Sequence, residues 1–497
     1  MSFEKIAIAN RGEIAKRIIT VCQELNLKTV LLYAGGDTHQ DAYRMADERV
    51  CIGPAEPLKS YLNIPALIEG AKSAGARLLH PGYGFLSENP EFAKACEENQ
   101  IRFIGPSSKS LSLFGNKIKA QETALKAGVP TLSSLPLPLV KTSKKNPSLN
   151  PDIAEKAQLL GYPLMIKSAC GGGGRGMRIA SNLEELERLI PIVREESRQS
   201  FNSDEIFLEK YLSHAKHVEV QVFISASREV FILGDRDCSS QRRHQKIIEE
   251  APSSLPDPLK DKMKSACYEL CSLIDYEGAG TLEFLVQEDE FYFLEMNTRL
   301  QVEHTVTEEL YGIDLVKAQI LTAMGRPPFL ISKKDLKAGG HSIQCRICAE
   351  DPSQNFLPSI GPLLSCVWPS GKNIRVDSGF QKGDEISPYY DSLIAKVIVW
   401  ERSRTRAIEK MNQALNQTLI FGLSTNISFL KFLLFHKDFI SKKITIPCVE
   451  KIHQRDWKPP ALPLPEDFLR QVYQELTGSP QINQEPASFN PWTDFEK

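Results

Sequence analysis

Hydrophobic and polar positions along the first hundred residues follow two periods in turn. Apolar runs at KIAIAN (5–10), TVLLYA (29–34), ARLLH (76–80) and IRFIG (101–105) read as buried strands. Between them Ile14, Ile18, Val21, Cys22 and Leu25 recur at helical spacing over 12–25, and further helices are expected at 64–74 and 91–99. This rhythm predicts a parallel, doubly wound sheet, with a binding crevice beyond the carboxyl ends of its strands. The Gly-rich stretch HPGYGFLSEN (80–89) stands at such an end. A dinucleotide site is disfavoured, because Asn10-Arg11-Gly12-Glu13 has one glycine where G-x-G-x-x-G is needed.

Beyond a bridging helical region at 106–135 the pattern changes. Residues 136–151 are rich in Pro, Lys and Ser and read as a surface loop or linker. A helix at 152–160 leads into a strand at 163–169. Strands at 177–180 and 206–211 flank a helix at 183–199. HVEVQVFIS (217–225) alternates cleanly and predicts a half-buried strand. At 281–287 and 291–296 two runs rich in aromatic and branched residues surround the polar break Glu288-Asp289-Glu290, a hairpin pattern. With the turn centred on Asp289, Glu283 falls opposite Glu295, and like charges so placed destabilise a sheet unless something neutralises them. Asn297, two residues on, shares their face. These hard oxygen ligands suit magnesium or manganese, which commonly accompanies nucleotide phosphates. Arg299, Gln301, Glu303 and His304 follow at once, and a cation, an amide, a carboxylate and an imidazole beside a metal suggest a reaction centre.

Composition narrows the class. A chain of 497 residues suggests about three domains. The net charge of −2 gives no polybasic or acidic tail to dictate a partner. No apolar run approaches the roughly 18–20 residues that span a membrane, and the first residues resemble neither a signal nor a transit peptide. Eleven scattered cysteines suggest a reducing compartment, consistent with a cytoplasmic location. Cys345 and Cys348 form a lone CxxC without a second pair, which argues against zinc.

Two stretches add chemistry. CGGGGRGMR (170–178) follows a strand, and its consecutive glycines let backbone N–H groups approach phosphate oxygens, with Lys167 and Arg175 as accompanying cations. Arg236, Arg242, Arg243, His244 and Lys246 cluster in 228–252, which favours an anionic substrate over solvent. Nucleic acid is disfavoured, since aromatic residues are not interleaved with this local charge.

The motifs KSACGGGGRGM, EKYL, RDCSSQRRHQKIIEEAP, EFYFLEMNTRLQVEHTVTE, CRICAEDP and SPYYDSLIAK together resemble biotin carboxylase, an ATP-grasp enzyme, over residues 4 to 450 or so. The resemblance implies an α/β chain (α+β overall). It would comprise a Rossmann-like domain at 1–115, an ATP-grasp domain at 116–330 with a mobile lid near 136–211, and a β-rich C-terminal domain at 331–453. The tail 454–497 lies outside it, with a helix expected at 466–476 in an otherwise flexible segment. The implied reaction converts ATP and bicarbonate to carboxyphosphate, whose carboxyl group passes to biotin on a carrier protein. The implied setting is the first half-reaction of acetyl-CoA carboxylase, which feeds malonyl-CoA and fatty acid synthesis. A component of another acyl-CoA carboxylase or of pyruvate carboxylase is the alternative.

Carried over by position, the resemblance implies that Lys117, Lys167, Gly173 and Gly174 hold ATP phosphates. Glu209, Lys210, Tyr211 and Leu212 would contact the adenine, with His217 and His244 completing the nucleotide site. Glu283, Glu295 and Asn297 would ligate Mg2+ or Mn2+. Lys246, Arg299, Gln301 and the backbone of Val302 would bind bicarbonate, Glu303 would deprotonate it, and Arg346 would stabilise the biotin enolate. Thr305, where the family usually has Pro, and Cys170, where it has a small residue, depart from the pattern. The implied partners are a biotin carboxyl carrier protein and carboxyltransferase subunits, with a homodimer expected and neither nucleic acid nor membrane. The chain has no Ala-Met-Lys-Met attachment sequence, so biotin is expected on a separate protein. Another ATP-grasp carbon–nitrogen ligase is disfavoured by Arg299, Gln301, Val302 and Glu303 with Lys246. An inactive nucleotide-binding homologue is disfavoured because every metal ligand and Glu303 is present.

Overall fold

The expected N-terminal strands pair in parallel. In order across the sheet they are Glu48–Gly53, Lys28–Ala34, Lys5–Ile8, Leu78–His80 and Arg102–Phe103. The structure, a computed structural model, describes residues 5–137, 151–170, 176–201, 203–329 and 336–460. Glu48–Gly53 is a strand that the apolar pattern does not predict. It lies at the sheet edge and buries only Ile52 fully, so it lacks the continuous apolar run that marks a central strand. The strand order reverses between Lys5–Ile8 and Leu78–His80. The crevice therefore opens beyond Ile8 and His80, where the Asn10 amide donates to the carbonyls of Pro81 (2.7 Å) and Tyr83 (2.8 Å).

The body of the molecule is one eight-stranded antiparallel sheet. It runs Glu290–Asn297, Gly278–Gln287, Lys216–Ile224, Val230–Arg242, Gln245–Ala251, His341–Cys348, Leu393–Glu401 and Ile374–Ser378. Phe284, Phe293, Val218, Val220 and Leu282 meet the helix Asp257–Leu273 through Met263, Cys267 and Leu270, which forms a buried core on one part of the sheet. Farther along, Ile343, Cys345 and Val397 pack against the helices Arg404–Gln417 and Ile427–Leu434. A separate four-stranded antiparallel sheet runs Ser134–Leu137, Ile206–Lys210, Leu164–Ser168 and Met177–Ala180, covered by the helices Pro151–Leu160 and Leu183–Phe201. Gly173 and Gly174, most of the linker 136–151 and the helix expected at 466–476 lie outside the described residues.

One expectation is corrected. The strand Lys216–Ile224 is buried on both faces, not half-buried: its polar positions Glu219 and Gln221 are as inaccessible as Val218 and Val220. Its alternation separates an apolar core face from a second buried face where charges pair with one another. Cys345 is buried and Cys348 partly so, and neither belongs to any group of described residues close enough to share an ion.

Gly379 fastens the C-terminal part to the first turn of the helix Gly12–Glu24, since a methyl there would run into the backbone of Gly12 and Glu13. Gly379→Ala is expected to lower unfolding free energy by about 1–3 kcal/mol in urea denaturation, as overpacking against backbone does. Gly339→Ala, where a methyl meets open space, should stay within about 0.5 kcal/mol of the parent.

Candidate active site

Four neighbouring strands place one row of charges on a single face. Arg236 lies opposite Glu219, Glu219 opposite Glu283, and Glu283 opposite Glu295. The expected pairing of Glu283 with Glu295 is present, but the turn is not centred on Asp289. Gln287 pairs with Glu290 around Glu288-Asp289, so an unbroken ladder would set Glu283 against Leu294. A bulge between the 283/295 and 284/293 pairs inserts Leu294 and restores the opposition. Along the same face, two residues on, lie Gln221, Thr281 and Asn297.

Three adjacent carboxylates cannot be buried without counter-charge. Lys246, Arg236 and Lys117 provide it. Lys246 Nζ donates to Glu219 (2.6 Å), Glu283 (2.9 Å) and Glu303 (2.5 Å), which uses all three of its donors. Burial works against the charged ammonium, but the three carboxylates raise its pKa well above the usual lysine range. Arg236 has no exposed surface. Its N–H groups reach Glu219, Gln221 (2.7 Å), Thr307 (2.9 Å), Thr281 (3.2 Å) and Gln301 (2.8 Å). Lys117, the first residue of the helix Lys117–Lys126, pairs with Glu295 at 2.7 Å.

Glu303 accepts from Lys246 and from Arg346 Nη2 at 2.9 Å. Burial raises its pKa, but Lys246, Arg346 and Arg236 outweigh burial and hold it well below the usual carboxylate range. Arg346 is itself fixed through its Nε by Glu249. Gln301 donates to Glu283 (2.8 Å) while accepting from Arg236, so the amide bridges two members of the row. A pairing of Glu303 with Arg299, the non-catalytic alternative, is not formed. Arg299 binds Glu88 (2.8 Å), Asn297 Oδ1 (3.1 Å) and the carbonyl of Leu300 (3.2 Å). The Val302 carbonyl accepts from the buried Lys396 at 3.2 Å.

The four-stranded sheet brings a second group alongside. Lys167 and Glu209 form a buried ion pair, and Gln121 donates to the other Glu209 oxygen at 2.7 Å. Lys210 turns away, donating to the carbonyl of Gly161 at 2.7 Å, and Tyr211 and Leu212 continue past the strand end. His217 Nδ1 meets the Gln241 amide at 2.6 Å. Its Nε2 lies 3.0 Å from Glu283 but off the line of a hydrogen bond, and it has no hydrogen-bond partner. His244 occupies the two-residue turn with Arg243, both at positive φ (64° and 48°), which is strained for side-chain-bearing residues. Water reaches the His244 ring, yet desolvation by the surrounding walls, then Lys167 and His217, lower its pKa.

The five cations expected to act together are therefore divided. Arg236 and Lys246 face the carboxylate row. Arg242 turns to Glu350 (3.1 Å) and the Phe356 ring (4.3 Å), and Arg243 stands exposed at the turn. Regular alternation would leave Arg236 and Arg242 on one face, but the register shifts between Asp237 and Gln241 put Arg242 on the other, while Lys246 pairs with Gln241. Sequence reasoning missed Glu219, Glu249, Glu88 and Lys396. Glu219 was legible as a charge in a clean strand. Glu88 lies in the Gly-rich stretch 80–89, at the strand end where a crevice is expected.

The donor set fits a divalent cation. Glu283 and Glu295 are opposed hard-oxygen ligands, and Asn297 shares their face with a further amide oxygen, which accepts from Arg299 Nη2 at 3.1 Å. Among the described residues two groups of three, His217–Glu219–Glu283 and Glu219–Cys238–Glu303, lie close enough to share an ion, and both overlap the row that Lys246 and Arg236 already neutralise.

Family models match the chain in three consecutive parts: Biotin carboxylase, N-terminal domain at 2–111; Carbamoyl-phosphate synthase L chain, ATP binding domain at 116–328; and Biotin carboxylase C-terminal domain at 344–451. The chain is 44% identical to the biotin carboxylase of Haemophilus influenzae over 449 residues, 90% of this chain and 98% of that protein. The chain belongs to the biotin carboxylase family. This is a family of ATP-dependent ligases. A pyruvate carboxylase component from Methanothermobacter thermautotrophicus is 43% identical over 88% of this chain and 87% of its own length. The biotin carboxylase domain dimer of Hydrogenobacter thermophilus 2-oxoglutarate carboxylase, solved with MgADP, ADP and bicarbonate, superposes with a TM-score of 0.85. It is 41% identical, and the match covers 92% of this chain and 100% of that one. No helix among the described residues is long and apolar enough to cross a membrane.

Arg236→Met is expected to destabilise the protein by about 3–5 kcal/mol, because it leaves Glu219 and the amides of Gln221 and Gln301 with unmet polar groups. Equilibrium unfolding in urea checks this, and Arg243→Met at the exposed turn is the matched control.

Proposed function

We propose that this chain uses ATP and bicarbonate to carboxylate biotin presented by a separate carrier protein. The observation that carries the reading is the convergence of Lys246, Arg346 and Gln301 on Glu303 and Glu283, with Arg299 on the neighbouring Asn297. Glu283, Glu295 and Asn297 would hold Mg2+ or Mn2+, which supplies charge neutralisation for transferring phosphate oxygens. Lys117 and Lys167 would serve the ATP phosphates, and the strand end at Glu209, Lys210, Tyr211 and Leu212 would serve the adenine, with His217 and His244 beside it.

Lys246, Arg299, Gln301 and the Val302 backbone would bind bicarbonate. Glu303 takes its proton as a bicarbonate oxygen attacks the γ-phosphate, giving carboxyphosphate and ADP. The low pKa of Glu303 fits this role once substrate competition is counted. An anion that draws Lys246 to itself removes the nearest cation from Glu303, and the carboxylate becomes a stronger base when its substrate is in place. Arg346, already on Glu303, would then stabilise the biotin enolate. We infer a homodimer, as in the Hydrogenobacter structure, and carrier and carboxyltransferase partners. We place the final acceptor at acetyl-CoA. The similarity to proteins of pyruvate carboxylase and 2-oxoglutarate carboxylase keeps other acceptors as the second reading.

Bicarbonate-dependent ATP hydrolysis, stimulated by free biotin, tests the reading; hydrolysis indifferent to bicarbonate would overturn it. Glu303→Gln should lower that hydrolysis by about 10²-fold or more with ATP affinity near the parent's. A variant that keeps turnover at saturating bicarbonate and only loses thermal stability would remove Glu303 from the catalytic list. Glu295→Gln should sharply reduce turnover at saturating ATP, and a chelator should abolish parent activity. Full activity in either experiment would refute the metal assignment.

A further inference from the structure

Arg346 is held from behind by a chain of hydrogen bonds that ends on Thr305. The Thr305 hydroxyl donates to Gln344 Oε1. The Gln344 amide nitrogen donates to Glu249 Oε2 at 3.0 Å. The other Glu249 oxygen accepts from Arg346 Nε, and Arg346 Nη2 donates to Glu303 at 2.9 Å. Thr305, Gln344 and Glu249 have no exposed surface, so bulk water does not substitute for a missing link.

The direction of the relay follows from donor chemistry. A glutamine side chain can present either its oxygen or its nitrogen to a neighbour, and only the nitrogen suits a carboxylate. The Glu249 carboxylate, which only accepts, sets that choice, and the Thr305 hydroxyl holds it from the other side by donating to the amide oxygen. A proline at 305 would have no hydroxyl and could not do this. Gln344 also lies two residues from Arg346 on the same strand, so both side chains stand on one face above Glu249.

We propose that Thr305 and Gln344 are positioning residues: they orient Glu249, which fixes the guanidinium of Arg346 against Glu303. The proposal rests on the biotin carboxylase reading above. Glu249 is surrounded by Arg346, Glu303, Gln344 and the thiols of Cys345 and Cys238. Burial raises its pKa, Arg346 lowers it, Glu303 raises it, and the Gln344 amide lowers it. Losing the amide donor therefore raises it further. Glu249 then becomes neutral at a higher pH, releases Arg346, and the acid limb of the rate profile moves up.

The test measures biotin-dependent turnover against pH in Thr305→Val, Thr305→Ser and Gln344→Leu. Thr305→Val removes the hydroxyl at nearly constant shape, and Gln344→Leu removes the amide. Both should lower turnover about fivefold to tenfold at neutral pH, the scale of one buried hydrogen bond, and move the acid limb to higher pH with KM for ATP unchanged. Thr305→Ser keeps the hydroxyl and should restore rate and limb even with a lower melting temperature. A Thr305→Val enzyme with parental rate and limb would overturn the proposal, as would a Ser variant as slow as Val. A parent without bicarbonate-dependent hydrolysis would instead overturn the functional reading on which the relay depends.

Discussion

Everything at the centre of this protein answers to one constraint: three glutamates on adjacent strands, Glu219, Glu283 and Glu295, share a face that excludes most water. Like charges directly opposite in a sheet repel, and burial strengthens the repulsion by removing the screening solvent. The sheet stands only because cations arrive from elsewhere. Arg236 closes the row at one end, Lys117 at the other, and Lys246 lies over the middle. A fourth carboxylate, Glu303, shares Lys246 and adds Arg346. Buried ion pairs seldom add stability over apolar packing, so the arrangement is better understood as specifying where these groups must be.

The supporting contacts come from every part of the chain. Glu88, beyond the parallel sheet's strand ends, holds Arg299 and the backbone N–H of Thr298. Glu13, on the first helix, pairs with Lys396 at 3.0 Å, and Lys396 in turn donates to the Val302 carbonyl. Glu249 and Arg346 stand on the two strands where the hairpin Val230–Ala251 joins the C-terminal strands in one sheet. The segment Asn297–Glu303 is thus gripped by the N-terminal crevice, the central sheet and the strand Leu393–Glu401 together. A loop that carries chemistry is normally positioned by a rigid scaffold, and here the scaffold is assembled from all three parts.

Much of this was legible because the relevant elements are strongly periodic. Four of the five strands of the parallel sheet and the hairpin follow from apolar runs and a polar break, whereas the opposition of Glu283 to Glu295 also needs a bulge that the pattern does not mark. What escaped has physical causes. The edge strand Glu48–Gly53 is mostly exposed and carries no apolar signature. The alternation of HVEVQVFIS suggests contact with water, because period alone cannot distinguish a solvent face from a buried charged one. The split of Arg236 and Lys246 from Arg242 depends on register shifts between Asp237 and Gln241 in the hairpin 230–251, which charge density and period do not mark. The counter-ions Glu219, Glu249 and Lys396 are ordinary charged residues in strands, and only pairing across distant strands reveals them.

The half-residue displacement of the hairpin turn shows how tightly the row is specified. With a two-residue turn at Glu288-Asp289, regular pairing would put Leu294 opposite Glu283 and send Glu295 to the other face, since a one-residue slip inverts every side chain beyond it. Glu295 would then enter the core occupied by Phe284, Phe293 and Met296, and Lys117 would lose its partner. Inserting Leu294 corrects the register at one point, leaving Phe291 and Phe293 on the core side before the bulge and returning Glu295 and Asn297 to the site after it. The bulge therefore lets one strand serve two faces. Its near half packs the core under the helix Asp257–Leu273, and its far half presents oxygen ligands in step with Glu283 and Thr281.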